Sequence, residues 1–241
     1  MMLRILTADW IKIRRTWVIW LTLLGPVCTV LVQVLNYGVR MDYLLPQGWN
    51  GLMFWVQALL FFTLMLGSAI LAAMSSAHEH DARAWKQTFA LPVSRFQFFA
   101  GKFIWLVICL AVAVTLTIAG VGLFGMIIGL PDPVPWKQLT QLILYPYLAL
   151  FPFLALQLWL SMIIKNQALP VAIGIAGTVF APFSSSQAHQ HLHWLIWSYP
   201  YNASPLSEVY QEPEQWVWMG AAVGLLFLIA GAIHFSRKEV Q

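Results

Sequence analysis

The chain has 241 residues, of which 60% are hydrophobic and 9% charged, with a formal net charge of +4. A soluble domain carries roughly 25% charged residues, so this composition excludes an ordinary soluble protein and leaves no stretch for a separate soluble domain. It describes a polytopic membrane protein, and the 13 Trp and 13 Pro fit that class. Indoles collect at headgroup level, and prolines are tolerated where neighbouring helices meet the freed carbonyls.

In chain order, residues 1–16 are basic through Arg4, Lys12, Arg14 and Arg15, while Leu3, Leu6, Trp10, Ile13 and Trp17 recur at spacings of three and four. That pattern predicts a helix lying in the membrane surface, apolar side down. A secretory signal is the rival reading. It fails because the apolar block after Arg15 is longer than a signal's core and ends in Asn36-Tyr37-Gly38, without a small-x-small cleavage pattern. The first span is therefore read as 17–37 and as retained. A crossing needs about 20 apolar residues, and five further blocks meet or approach that length: 52–74, 103–130, 139–164, 168–183 and 216–235. The fifth is short. The serines Ser184, Ser185 and Ser186 and the semi-apolar run from His193 to Tyr199 allow it to continue as a re-entrant or interfacial piece.

Six spans are the simplest count, giving one all-α transmembrane domain, 1–241, with both termini on one side. Placing the termini, 78–102 and 165–167 in the cytoplasm puts eleven of the 13 basic residues inside and leaves only Arg40 and Lys137 outside, a strong positive-inside signal.

Residues 78–102 are the one long polar interruption. A helix from about 77 to 90 lines up Ala82, Trp85 and Phe89 on one side, with Glu79, Asp81, Arg83 and Lys86 elsewhere round the cylinder. Pro92 ends it. Ser94-Arg95-Phe96-Gln97 is then an S-x-x-Q capping box that opens the next helix. On the residues alone, two readings stand: a solvated loop between spans, or an amphipathic helix followed by a proline break and a capped membrane helix.

The motifs of chemistry are sparse. No G-x-x-x-x-G-K-[ST] occurs, so the chain has no phosphate cradle of that kind. Gly120-Val121-Gly122-Leu123-Phe124-Gly125 has the letters of a dinucleotide fingerprint but sits in an uncharged apolar block with no preceding strand. Its glycines are better read as close-approach positions, like the pairs Gly125/Gly129 and Gly220/Gly224. His78 and His80 are two apart, not the helical turn that a metal-binding H-E-x-x-H needs. His189, His191 and His193 would share one face of an extended strand; the competing reading is an interfacial segment. Cys28 and Cys109 read as buried thiols. No Asp, Glu, Lys or Arg lies within a span, which argues against an ion-coupled carrier. Gln33, Gln57 and Gln157 are left to bridge helices or to meet cargo.

Glu79, Trp85-Lys86, Leu91-Pro92-Val93-Ser94-Arg95, Phe98-Phe99 and Lys102 together resemble the cytoplasmic loop of type 2 ABC export permeases. Arg83-Ala84 stands where that family often has Gly-Thr. The opening segment and the length resemble the bacitracin and lantibiotic self-protection (immunity) branch. The resemblance implies a cytoplasmic coupling helix between spans 2 and 3, formed by Glu79, Arg83, Trp85, Lys86, Phe89, Leu91, Pro92 and Arg95, that docks on an ABC ATP-binding subunit pair. It also implies a second permease, identical or paralogous, surrounding membrane lipid and a bacterial plasma-membrane location. Nucleic acid has no part in it. The chain itself would bind no cofactor, with ATP and Mg used by the partner, and would not be an enzyme. Its activity would be expulsion of an amphipathic peptide antibiotic, or alternatively of another hydrophobic or lipid cargo. Two readings from other classes are a metal-dependent intramembrane enzyme using the outer His cluster and a non-transporting sensor or scaffold. For the outer segment, 184–215, the expectation is contact with cargo at the outer leaflet through Trp194, Trp197, Tyr199, Glu208, Glu212 and Glu214; the alternative is that its aromatics only anchor the short fifth span.

Overall fold

The computed structural model describes residues 16–81, 94–207 and 212–237, with side chains from 78 to 81 left out. The expected surface helix, 1–16, and most of the coupling segment therefore lie outside the described residues. Every regular element among those residues is helical. We label them α1 (Val18–Leu44), α2 (Gly48–Asp81), α3 (Arg95–Ile127), α4 (Trp136–Ala149), α5 (Phe151–Ile163), α6 (Ala168–Ser184), α7 (Tyr199–Asn202) and α8 (Pro213–Arg237). Three helical stretches are long and apolar enough to cross a membrane, or four if the bent pair α4 and α5 is one span.

The first of these stretches runs for 60 residues, Val18–Ala77. A straight helix of that length would reach about 90 Å, some three hydrocarbon thicknesses. The chain instead doubles back. Pro46 lies in a 3-10 turn, Leu45–Gln47, and Gly48 takes φ +58, a left-handed conformation that a side chain resists. Leu21 to Cys28 of α1 then face Leu60 to Leu71 of α2, and Val32 to Arg40 face Trp55 to Phe62, so the two helices run antiparallel. Within α1, Thr22 and Thr29 turn their hydroxyls back onto the carbonyls of Val18 (2.8 Å) and Gly25 (2.9 Å) on either side of Pro26. Arg40 leaves helical geometry at φ −128, ψ 30.

The turn between α1 and α2 is tied to the one between α3 and α4. The Trp49 indole donates to Asp132 O at 3.2 Å, and Pro131 lies against Gly48. This defines the turn end of the bundle; the opposite end, where α2 and α8 finish and α3 begins, is the polar end. Near the turn end the glycine string of α3 finds its use. A Cβ on Gly125 would lie 2.3 Å from the Trp49 ring, one on Gly122 2.7 Å from Trp136, and one on Gly120 2.8 Å from Val30. The glycines seat two indoles and a valine. Gly129 differs from the expected helix-contact role: it lies in the turn beyond α3, at φ +74.

Helices α4 and α5 bend by 42° at Leu150, beside Pro152, which has no amide hydrogen to carry the helix across. α8 runs parallel to this bent pair and fits into it. Cβ atoms on Gly220 and Gly224 would meet Ala149 Cα at 2.6 Å and Phe151 Cβ at 2.7 Å, the close backbone approach that small residues permit in membranes. The core behind this seam holds Phe61, Met65, Phe99, Phe153 and Leu154, all buried.

Candidate functional site

At the polar end, Ser94 is the N-cap of α3, extended at φ −69, ψ 144, and its Oγ accepts from Gln97 N at 3.2 Å. This hydroxyl contact is one half of the expected capping box. One residue on, Arg95 donates to Ser236 O near the end of α8, at 3.5 Å. Two turns further along α3, Lys102 is only 6% exposed; its ammonium donates to Ser75 O of α2 at 2.8 Å and lies 5.1 Å from the centre of the Phe98 ring. A buried lysine near the C-terminal part of a helix meets both carbonyls and the negative end of the macrodipole. The start of α3 therefore holds α8 and α2 at once. Phe99 packs on Phe235 across the same junction, and Trp159 of α5 donates to His234 Nδ1 at 3.0 Å. The Lys165 turn is closed locally: Gln167 Nε2 donates to Ser161 O and Ile164 O, and Asn166 Oδ1 accepts from Ala168 N.

Of the expected coupling residues, Arg95 alone has a described side chain. Glu79 falls on the last turns of α2 without one, and Arg83, Trp85, Lys86, Phe89, Leu91 and Pro92 lie outside the described residues. Lys102 carried part of the resemblance; its bond to α2 was not legible in the sequence, where a buried lysine looks like any lysine at a span's edge.

The segment after α6 folds inward. Ser184 and Ser198 share a hydrogen bond of 2.7 Å, Ser185 Oγ donates to Ala181 O at 2.7 Å, and Ser186 Oγ meets His189 Nδ1 at 2.8 Å. The serine run thus closes a turn in which 187–192 is a 3-10 helix and not a strand. His189 stacks on Phe183, whereas His193 is buried and bonds Ser186 O at 3.0 Å. The three imidazoles do not share a face. Beyond them, Tyr201 stacks on Phe61 with 3.7 Å between ring centres, and Ser204 donates to Gln57 Oε1 at 2.8 Å. Gln57 and Phe61 lie about 14 and 20 Å along α2 from Gly48. The segment therefore fills the bundle well inside the turn end, where non-helical backbone is tolerated because protein surrounds it.

The expected outer-leaflet residues separate accordingly. Trp194 is 68% exposed, Trp197 lies beside Gly177 with its indole nitrogen buried, and Tyr199 is buried against Trp216. Glu214 accepts from the Tyr145 hydroxyl at 3.0 Å, which in turn accepts from Gln141. Glu212 accepts from Gln215, and Glu208 is outside the described residues. Among the intramembrane glutamines, Gln57 bridges to Ser204. Gln157, its amide oriented to satisfy both contacts, donates to Pro170 O (3.0 Å) and accepts from Gly174 N (3.3 Å) of α6.

The described residues form an all-helical membrane-embedded bundle in which the start of one long apolar helix is locked to the ends of two others. The sequence matches the ABC-2 family transporter protein family over residues 5–181, and the chain belongs to that family. It is the membrane component of an ABC transporter, and the family implies partnership with an ABC ATP-binding subunit. No curated protein matches the chain.

Proposed function

We propose that this chain is a six-span permease subunit of a bacterial plasma-membrane exporter that expels an amphipathic peptide antibiotic, of the lantibiotic or bacitracin-like kind, and so confers resistance or self-protection. In this reading the crossings are α1, α2, α3, the bent α4 and α5 pair, α6 and α8. The α1 and α2 hairpin counts as two, and the inward-folded serine segment completes the short α6. Both termini face the cytoplasm, as the positive-inside bias requires. A second permease completes the membrane part, and ATP and Mg act in the partner subunits.

The observation that carries the reading is the double hold of α3 on its neighbours, Arg95 to α8 and Lys102 to α2. A displacement of residues 78–95 by an ATPase reaches three spans together through these contacts. Residues Glu79, Arg83, Trp85, Lys86, Phe89, Leu91 and Pro92 supply the docking helix. At the other face, Trp194 with Glu208, Glu212 and Glu214 meets the peptide, while Trp197 and Tyr199 shape the segment from inside.

Co-purification of the ATP-binding subunit tests the docking. Trp85→Ala is expected to cost roughly 2 kcal/mol, weakening the complex tens-fold with normal membrane insertion. Unchanged co-purification and unchanged peptide resistance in both Trp85→Ala and Glu79→Lys would reduce residues 78–95 to a loop. Reporter fusions after Gln87 and Lys165 should read cytoplasm, and those after Pro131 and Glu212 the exterior.

A further inference from the structure

The face that α1 and α2 turn away from the rest of the bundle carries a groove of about 550 Å³. One wall is a polar ridge on α1: Gln33, Asn36 and Arg40 follow one another at i, i+3 and i+7, about 10 Å from first to last. The other is an apolar strip on α2 made by Trp55, Leu59 and Phe62. Among the described residues, none of the three polar side chains has a hydrogen-bond or ion-pair partner. Gln33 is only 1% exposed and its Oε1 is buried without one. Gln57 and Gln157 have protein partners, whereas the Gln33 oxygen has none. Asp42, the nearest acid in the chain, makes no ion pair with Arg40 among the described residues.

Arg40 also marks a level. Leu24, Val27, Leu31, Leu35 and Val39 form an exposed, uncharged apolar run of α1, and Arg40 is the first charged residue after it, where the helix leaves regular geometry; Met41 and Tyr43 beyond it are exposed as well. The groove therefore presents an exposed cation at its mouth, the Asn36 amide one turn below it, and an apolar wall beside them.

We propose that this groove binds an anionic glycerophospholipid. Its phosphate meets the Arg40 guanidinium, an ester carbonyl accepts from the Asn36 amide, and an acyl chain lies along Leu59 and Phe62. Charge selects this occupant, because among the described residues Arg40 is the only charged side chain lining the groove, and an uncharged or cationic amphiphile leaves it unmet. The proposal is independent of what the transporter exports.

Native mass spectrometry of the detergent-purified full chain tests it, titrated with palmitoyl-oleoyl phosphatidylglycerol or with phosphatidylcholine of the same chains. The wild type should retain phosphatidylglycerol about five-fold more readily, the effect of one basic residue near a lipid surface. Arg40→Gln should abolish that preference, Lys137→Gln should keep it, and Leu59→Trp, which fills the groove, should lower retention of both lipids. Equal retention of the two lipids by the wild type overturns the proposal, as does a preference that survives Arg40→Gln in a variant that elutes as the wild type does. Efficient disulfide pairing of Val39→Cys in native membranes would assign the groove to a second copy of the chain and overturn it as well.

Discussion

The seam between α8 and the bent α4 and α5 pair and the seam between α1 and α2 are built from similar apolar residues but closed to different degrees. In the first, Gly220 and Gly224 bring helix backbones into direct contact, and no side chain can be added without moving a main chain. In the second, Gly25 and Gly67 have nothing within 4 Å of an added Cβ, and an apolar cavity of about 180 Å³ lies between them. Residue type does not separate the two seams. What separates them is whether a glycine's missing side chain is filled by a neighbour's backbone, and that makes one seam a fixed frame and the other an open surface.

The difference can be broken most forcefully at Gly220. Gly220→Val drives methyl groups into Ala149, whose backbone cannot yield, and should cost about 3 kcal/mol and most of the folded protein. Size-exclusion yield and the unfolding midpoint in mixed micelles measure this. Gly125→Ala meets the movable Trp49 ring instead, so the expected loss is smaller, about 1–2 kcal/mol by the same midpoint, with the Trp49 bond to Asp132 O weakened. Gln157→Leu removes a bridge between α5 and α6 and should cost about 1 kcal/mol. Gln33→Leu is the matched control at the open seam: it removes an amide that has no partner, and stability in detergent should stay within about 0.5 kcal/mol of wild type or rise. Gly67→Ala should gain roughly 0.5 kcal/mol, since it adds helix propensity beside empty space. A loss at Gly67 as large as at Gly125 would erase the distinction between the seams.

Much of the helical frame could be read from the residues. The long uncharged blocks became helices because nothing in them interrupts the 1.5 Å repeat, and Ser94 capped α3 because a hydroxyl three residues before an amide is a local signal. The glycines were legible as close contacts, but their partners were not: that Gly122 and Gly125 seat Trp136 and Trp49 depends on residues distant in sequence. The same holds for Tyr201 reaching Phe61 inside the bundle, whereas the break at Leu150 had a local signal in Pro152. A run of three serines announces a turn and says nothing of the direction in which it folds. The polar end was legible through the motif, whereas the hold of Lys102 on Ser75 O required the two helices to be side by side. Trp197 and Tyr199 looked like anchors or cargo contacts from composition alone; burial gives them to the interior and leaves Trp194 outside.

The tie of Trp49 to Asp132, with its indole on Gly125, joins the first turn of α2 to the far end of α3. With Lys102 holding Ser75 O near their other ends, the two rods are tied at both tips and swing together about the turn end. α3 is 33 residues long, about 50 Å from tip to tip, so each degree of rotation about that end carries its other tip through about 0.9 Å. Arg95 therefore stands at the end of the longest arm the helix offers, with the turn end opposite it.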